Sequence, residues 1–456
     1  MVIEVSHLVI ARAMFGTTMA FHIIFATLGI GIPFMILISE LMFLKTKDQD
    51  YSIMAKRWTR VKGVLLGVAI PSGTIAGVSL SLLWPGFMEV IGRVMALPFQ
   101  IEIYAFFIEA LFLSIYVYAY DRISTKARII SLILVTFGAL ASAVLISNVH
   151  AFEGTPAGFR VVNGKIVDVN PWAAFFNPAF FITAGHVSLT ALMTGSFVFA
   201  GTSGFKMLRN SPGSRSYQFH AKALVMSLIL GGVISLISAL SGHASAQYLY
   251  EYQPEKLAAA EGLFETQSHA PLTIGGSVDP EKQEVKHAIE IPWALSFLAG
   301  NRFDTVVRGL NEFPRDYWPP LFIHTMFNGM VGIGMYSILV AIIGVYWLKF
   351  KKKTVVPKWM LFAFFLSAPL SILAIEFGWI LACTGRQPWT IYHILSTADS
   401  VTSQQNLGIL YLLFILVYLL LGIVVIAVLY FYFKRNPLIH ELSGQTDPDD
   451  KNYPAH

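Results

Sequence analysis

The chain has 456 residues, 55% of them hydrophobic and only 13% charged, with a formal net charge of +5. A soluble domain carries roughly 25% charged residues, so this composition, with a mean hydropathy of +0.63, excludes a water-soluble globule and describes a polytopic membrane protein. Nucleic acid is excluded as the reason for the basic balance, because the Lys and Arg residues sit in short connections between apolar runs, where membrane topology accounts for them.

A helix needs about 20 mostly apolar residues to cross the roughly 30 Å hydrocarbon layer. Nine segments can do so, at about 11–43, 62–84, 96–120, 127–148, 174–203, 219–240, 319–348, 357–381 and 406–433. The expected fold is all-α, with nine transmembrane helices and a long external loop between helices 6 and 7. The first segment continues past Pro33 toward Met42 with no small-residue cleavage pattern behind a basic start, so it reads as a retained span. The odd-numbered connections are basic: Lys45, Lys47, Lys56, Arg57 and Arg60 in the first, Arg122, Lys126 and Arg128 in the third, Lys206, Arg209 and Arg215 in the fifth, and Lys349, Lys351, Lys352 and Lys353 in the seventh. The short even-numbered ones carry almost no basic residues. By the positive-inside rule the N-terminus lies outside, the Lys434-Arg435 tail inside and the 241–318 segment outside. The chain thus divides into helices 1–6 over 1–240, a polar loop over 241–318, helices 7–9 over 319–434 and a cytoplasmic tail over 435–456. Ordering a polar segment of that length costs entropy, so it is either functional or disordered. No strong internal repeat supports an inverted-repeat transporter.

Polar side chains inside spans are costly and usually face a cofactor, a cavity or a partner. His22 lies mid-span with Arg12 ten residues earlier on the same helix; such a His serves equally as an interhelical hydrogen-bonder or a metal ligand. His186 sits in Ala184-Gly185-His186-Val187-Ser188, where small neighbours admit either a flat macrocycle or a second helix. Glu102 and Glu109, seven residues apart, project from one face of the third span, a spacing that suits a proton path, although Glu102 could also sit at the interface after Pro98. Met326 and Met330 share a face; a Met in an apolar helix is ordinarily packing, while the dense glycines around Met330 favour a bulky flat partner. Glu376, Trp379 and Cys383 share a face just before Gly385-Arg386-Gln387-Pro388-Trp389. Cys383 is the only cysteine, which excludes an internal disulfide, Cys-coordinated zinc and covalently attached c-type haem.

Taken together these residues resemble subunit I of the cytochrome bd-type quinol oxidases. The resemblance covers nearly the whole chain: nine spans, the polar segment with Lys256-Leu257-Ala258-Ala259-Ala260-Glu261, and the Gly-Arg-Gln-Pro-Trp pentapeptide after Glu376-Phe377-Gly378-Trp379. It implies a quinol:oxygen oxidoreductase of a prokaryotic cytoplasmic (inner) membrane with three non-covalent haems: a low-spin haem b between His186 and Met330, a high-spin haem b, and either haem d or a third haem b. His22 would ligate one of the latter two, and Arg12 would lie near a haem or its propionates. Lys256 and Glu261 would bind menaquinol or ubiquinol. Glu102, Glu109, Trp379 and Arg386 would form the catalytic surroundings, the two carboxylates carrying protons or lining the dihaem site. A second oxidase subunit, with or without a small single-span one, dioxygen and the lipid bilayer complete the implied partners; nucleic acid is not among them.

Three departures from the family pattern stand out. Cys383 occupies the position of a family glutamate that ligates high-spin haem, and either a thiolate ligand or a neutral thiol that leaves the iron to another group fits the sequence. Asn328 stands where the family often has Arg, two residues before Met330, so a propionate or quinol contact would be missing. The family motif after the fourth span is replaced by Asn148-Val149-His150-Ala151-Phe152-Glu153, whose register assigns no role to Asn148 or His150. The implied mechanism docks quinol at the external segment, passes electrons to the His186–Met330 haem and draws protons for oxygen reduction from inside through carboxylates such as Glu109. The spans hold too few histidines for a haem-copper oxidase and lack the paired histidines of a bis-histidine cytochrome b. The alternative is a polytopic secondary transporter with buried carboxylates and no haem, which leaves the pentapeptide unexplained.

Overall fold

The computed structural model describes residues 7–351, 355–404 and 407–443. Lys352, Lys353 and the tail from 444 onward lie outside the described residues. In chain order the helices are α1 (His7–Thr46), α2 (Gln49–Leu83), α3 (Pro85–Val94), α4 (Ala96–Tyr118), α5 (Thr125–Gly154), α6 (Pro171–Phe175), α7 (Phe180–Leu208), α8 (Arg215–Tyr252), α9 (Pro254–Glu261), α10 (Ala294–Gly300), α11 (Ile323–Val345), α12 (Lys358–Thr384), α13 (Thr397–Ser400), α14 (Leu407–Arg435) and α15 (Leu438–Leu442). Nine of these described helices, α1, α2, α4, α5, α7, α8, α11, α12 and α14, are long and apolar enough to cross a membrane. Among the described residues the only sheets are short two-stranded ribbons.

Polar side chains set several helix starts. Asp48 accepts a hydrogen bond from the Asp50 N–H ahead of α2, Ser124 from the Ala127 N–H ahead of α5, and Ser214 from the Tyr217 N–H ahead of α8. In the middle of the bundle α7 packs against α1, α5, α8 and α12. Its approach to α1 is backbone on backbone: a Cβ added to Gly195 would run into Gly31, and one added to Gly31 would meet Ala191 and Gly195. Small residues at such a crossing let two membrane helices gain dispersion contacts where lipid supplies no hydrophobic drive between them. On the side of the basic connections, the buried Asp50 on α2 receives Arg215 and Lys222 from α8. The helix α14 sits at the periphery, against α1 and α2.

The structure corrects the expected boundary at 240. The helix α8 continues through Ser241-Gly242-His243 to Tyr252, because polar composition marks the exit from the bilayer and not the end of the helix. The first residue that breaks the chain is Pro254, which opens α9. The connection that follows carries α9, α10, a ribbon pairing Leu272–Ile274 with Ile289–Ile291, and a second pairing Ser277–Asp279 with Glu284–Lys286. Likewise α5 runs six residues past the expected 148 and carries His150 and Glu153 as helix residues.

Candidate functional site

His22 on α1 faces α2, with its Nδ1 3.0 Å from the Ser72 hydroxyl. That hydroxyl donates its own proton to the Ala69 carbonyl at 3.1 Å, so it accepts from Nδ1–H. His186 on α7 is held in the same way, Nδ1 lying 2.7 Å from Ser241 Oγ on α8, which donates to Ser238 O at 2.9 Å. Each imidazole is thereby fixed with its proton on Nδ1 and the Nε2 lone pair free, the arrangement found behind metal-bound histidines. Open space adjoins Gly185 beside His186 and Gly332 and Gly334 beyond Met330, while Met330 Sδ lies against Gly378 of α12. These residues fit a flat macrocycle. Ser241, read from sequence as the start of a loop, is instead the helical residue that orients His186.

A second cluster joins α5, α9 and the C-terminal end of α12. Arg386, buried, pairs with Glu153 on α5, and Glu153 Oε2 lies 3.2 Å from His150 Nδ1. The His150 ring stands edge-on to Trp379, centroids 5.4 Å apart. Lys256 on α9 donates to the Ala382 carbonyl at 3.0 Å, and Cys383 is exposed, with Arg386, Glu153 and Lys256 as its charged neighbours. Burial first, and then the Arg386 guanidinium, push the Lys256 ammonium down to about 7. Glu261, at the end of α9, is also buried, has one carboxylate oxygen with no hydrogen-bond partner, and is pushed up by burial to about 8. Glu376 Oε1 and Arg386 Nε are unpartnered too. An unsatisfied buried polar group costs about 1–3 kcal/mol, so this gathering marks a place where a bound group completes the hydrogen bonding.

The third feature is a polar file along α4. Glu102 accepts from Ser142 at 3.0 Å, and Glu109 pairs with the buried Lys62 of α2 at 2.6 Å, Lys62 also donating to Gly29 O at 2.9 Å. Further along, Tyr116 and Tyr120 both donate to Glu40 of α1, at 2.7 and 3.0 Å.

The structure brings Lys256, Trp379, Cys383 and Arg386 together. Lys256 and Glu261 are not the solvated loop charges that the composition suggested. Arg12 lies exposed near the start of α1 and makes no ion pair among the described residues. Asn328 has a role of its own: its Oδ1 accepts from Gly275 N–H at 2.8 Å and its Nδ2 donates to His324 O at 3.0 Å, pinning the connection to α11. Sequence reasoning missed Lys62, Glu40, His150 and Glu153. Lys62 stood at a presumed span boundary, and Glu40 near one, so neither was weighed as an intramembrane charge; their signal was a spacing from the neighbouring apolar runs that only the longer helices reveal.

These features are those of a multi-pass membrane protein with metal-ligating groups between its helices. The family of the cytochrome bd terminal oxidase subunit I matches residues 10–437. A Bacillus subtilis (strain 168) protein with the provisional name cytochrome bd menaquinol oxidase subunit I is 66% identical, over 96% of this chain and 98% of that one. A cytochrome bd ubiquinol oxidase subunit 1 of the same organism is 33% identical over 97% of each chain. The solved bd oxidase of Geobacillus thermodenitrificans has a chain that superposes with a TM-score of 0.90 at 42% identity, covering 94% of this chain and 99% of that one. The chain belongs to the cytochrome bd terminal oxidase subunit I family, which implies haem and sets aside the secondary-transporter alternative.

Proposed function

We propose that this chain is the haem-bearing subunit of a terminal quinol oxidase that takes electrons from menaquinol or ubiquinol and reduces dioxygen to water, working with a second subunit in a prokaryotic cytoplasmic membrane. The observation that carries the reading is the matched pair of histidines, His22 and His186, each with Nδ1 held by a serine hydroxyl and Nε2 free, in a chain of this family. His186 and Met330 would hold a low-spin haem b, and His22 one of two further haems, a high-spin b and a d or third b. When bound, the haems supply the electron transfer and oxygen chemistry; the protein supplies orientation and protons.

In this reading Lys256 and Glu261 on α9 bind the quinol head group, Glu261 being neutral at pH 7 and so able to donate a hydrogen bond. Arg386 and Trp379 shape the neighbouring pocket, with Glu153 neutralising the guanidinium. Glu109, kept in the bilayer by its ion pair with Lys62, and Glu102, held by Ser142, pass protons inward, and Glu40 with Tyr116 and Tyr120 extends the file toward the connection carrying Arg122 and Lys126. Arg12, exposed near the N-terminal end of α1, would meet a propionate. The expected result for the purified complex is a reduced-minus-oxidised spectrum with a low-spin b band that quinol alone develops and oxygen abolishes. A preparation without haem bands overturns the reading.

A further inference from the structure

We infer that His150 is a further haem-iron ligand, a third histidine beside His22 and His186, taking the place that Cys383 leaves vacant among the ligating side chains. The inference rests on the oxidase reading and concerns the one high-spin haem for which this chain offers no glutamate at position 383.

Among the described histidines on the nine spanning helices, three have Nδ1 held and Nε2 without a hydrogen bond. They are His22, His186 and His150. The others are arranged differently. His324 has both ring nitrogens on carbonyl oxygens, Ala260 O at 2.8 Å and Gly275 O at 2.9 Å. His243 has its Nε2 engaged by Asn301 and Gln247. His150 Nδ1 lies 3.2 Å from the Glu153 carboxylate, which can only accept, and a longer 3.5 Å from the Arg386 guanidinium, which can only donate; the shorter carboxylate contact sets the tautomer. The proton is therefore on Nδ1 and the lone pair on Nε2. A carboxylate behind an imidazole fixes the ring and raises its basicity toward a metal, and it is a recurrent support for metal-bound histidine.

The position is also right. The edge-on contact between His150 and Trp379 sets the imidazole against the face of α12 that carries Cys383 one turn later. Arg386 pairs with the same Glu153 and so neutralises the carboxylate without removing it as an acceptor. Cys383, by contrast, makes no hydrogen bond among the described residues, so nothing orients its sulfur. Where the chain loses a carboxylate on α12 it presents a carboxylate-backed imidazole from α5, two residues beyond the point where the apolar pattern of that span fades.

The test uses the purified complex and reads haem content and resonance Raman bands. In His150→Ala, one high-spin haem should be lost or should lose its iron–imidazole stretching band, with the low-spin b band intact, and imidazole added to the buffer should restore it. Cys383→Ala should leave the high-spin bands as in the wild type. Glu153→Gln keeps the side-chain shape and a carbonyl acceptor but removes the charge behind Nδ1, so it should shift the iron–imidazole band to lower frequency, an effect that a purely structural role would not produce. Wild-type high-spin bands in His150→Ala, or their loss in Cys383→Ala alone, overturn the proposal while the low-spin band keeps the oxidase reading standing. Absence of every haem band from the wild type overturns that reading instead.

Discussion

At the scale of single residues, Glu261 carries the clearest electrostatic consequence. Its carboxyl has been moved from water to a site where one oxygen has no partner, and burial alone holds its pKa at about 8. A raised folded pKa means that the folded protein binds the proton more tightly than the unfolded chain, so the stability gained from the neutral form is fully present below the free value and is lost as pH rises through 8. One pKa unit corresponds to about 1.4 kcal/mol, which for a chain of this size is roughly 1–2 °C per pH unit. Thermal unfolding in detergent should therefore show wild type falling relative to Glu261→Gln as pH goes from 5 to 8, with no further divergence above. Lys256 works in the opposite sense, because its lowered pKa makes stability rise between 7 and its free value; comparing two proteins that both retain Lys256 removes that contribution. Parallel curves would show that Glu261 meets a partner or water in solution. The sequence made Lys256 and Glu261 visible as residues but gave the wrong surroundings for both, since a polar stretch looks solvated whether or not it folds down onto the helices.

At the scale of elements, the spans were legible because twenty apolar residues leave few alternatives in a bilayer, and their order and number follow directly. Their ends were not. Hydropathy reports where a helix leaves lipid, whereas the backbone continues until a proline or a glycine stops it, at Pro254 after α8 and at Gly262 after α9, where φ is +68°. The cost of that blind spot was concentrated at the site: Ser241, His150 and Glu153 all lie on helical extensions beyond the apolar runs. The identity of the crossing helices was equally hidden, because a glycine in an apolar run gives no sign of which helix it faces. The structure assigns Gly195 to the crossing with Gly31, and this predicts an asymmetry among glycine substitutions. Gly195→Val forces α7 away from α1 and should destabilise the folded protein by about 1–3 kcal/mol, read as a drop in the detergent unfolding midpoint together with haem loss. Gly63→Ala on α2, where an added Cβ meets nothing, should leave the midpoint unchanged or slightly raised.

At the scale of the whole molecule, the site layout depends on orientation, and orientation was read from charge alone. The polar file on α4 ends at Tyr116 and Tyr120, next to the connection with Arg122, Lys126 and Arg128, while the α9 cluster sits at the opposite ends of α5 and α12. In the proposed reading, proton intake and quinol oxidation therefore fall at opposite ends of the bundle whichever way the chain inserts, and the positive-inside rule predicts that the file opens to the cytoplasm. With a single native cysteine, the arrangement can be tested directly. In a Cys383→Ala background, Lys282→Cys lies exposed in the connection between α8 and α11, and Ser211→Cys and Lys126→Cys lie exposed on the basic side. A membrane-impermeant maleimide should label Lys282→Cys in intact cells, and should reach Ser211→Cys and Lys126→Cys only after the membrane is opened. The reverse pattern would put the α9 cluster inside, so that quinol protons would be released into the compartment from which the α4 file was expected to draw them, and oxidation would then build no charge separation.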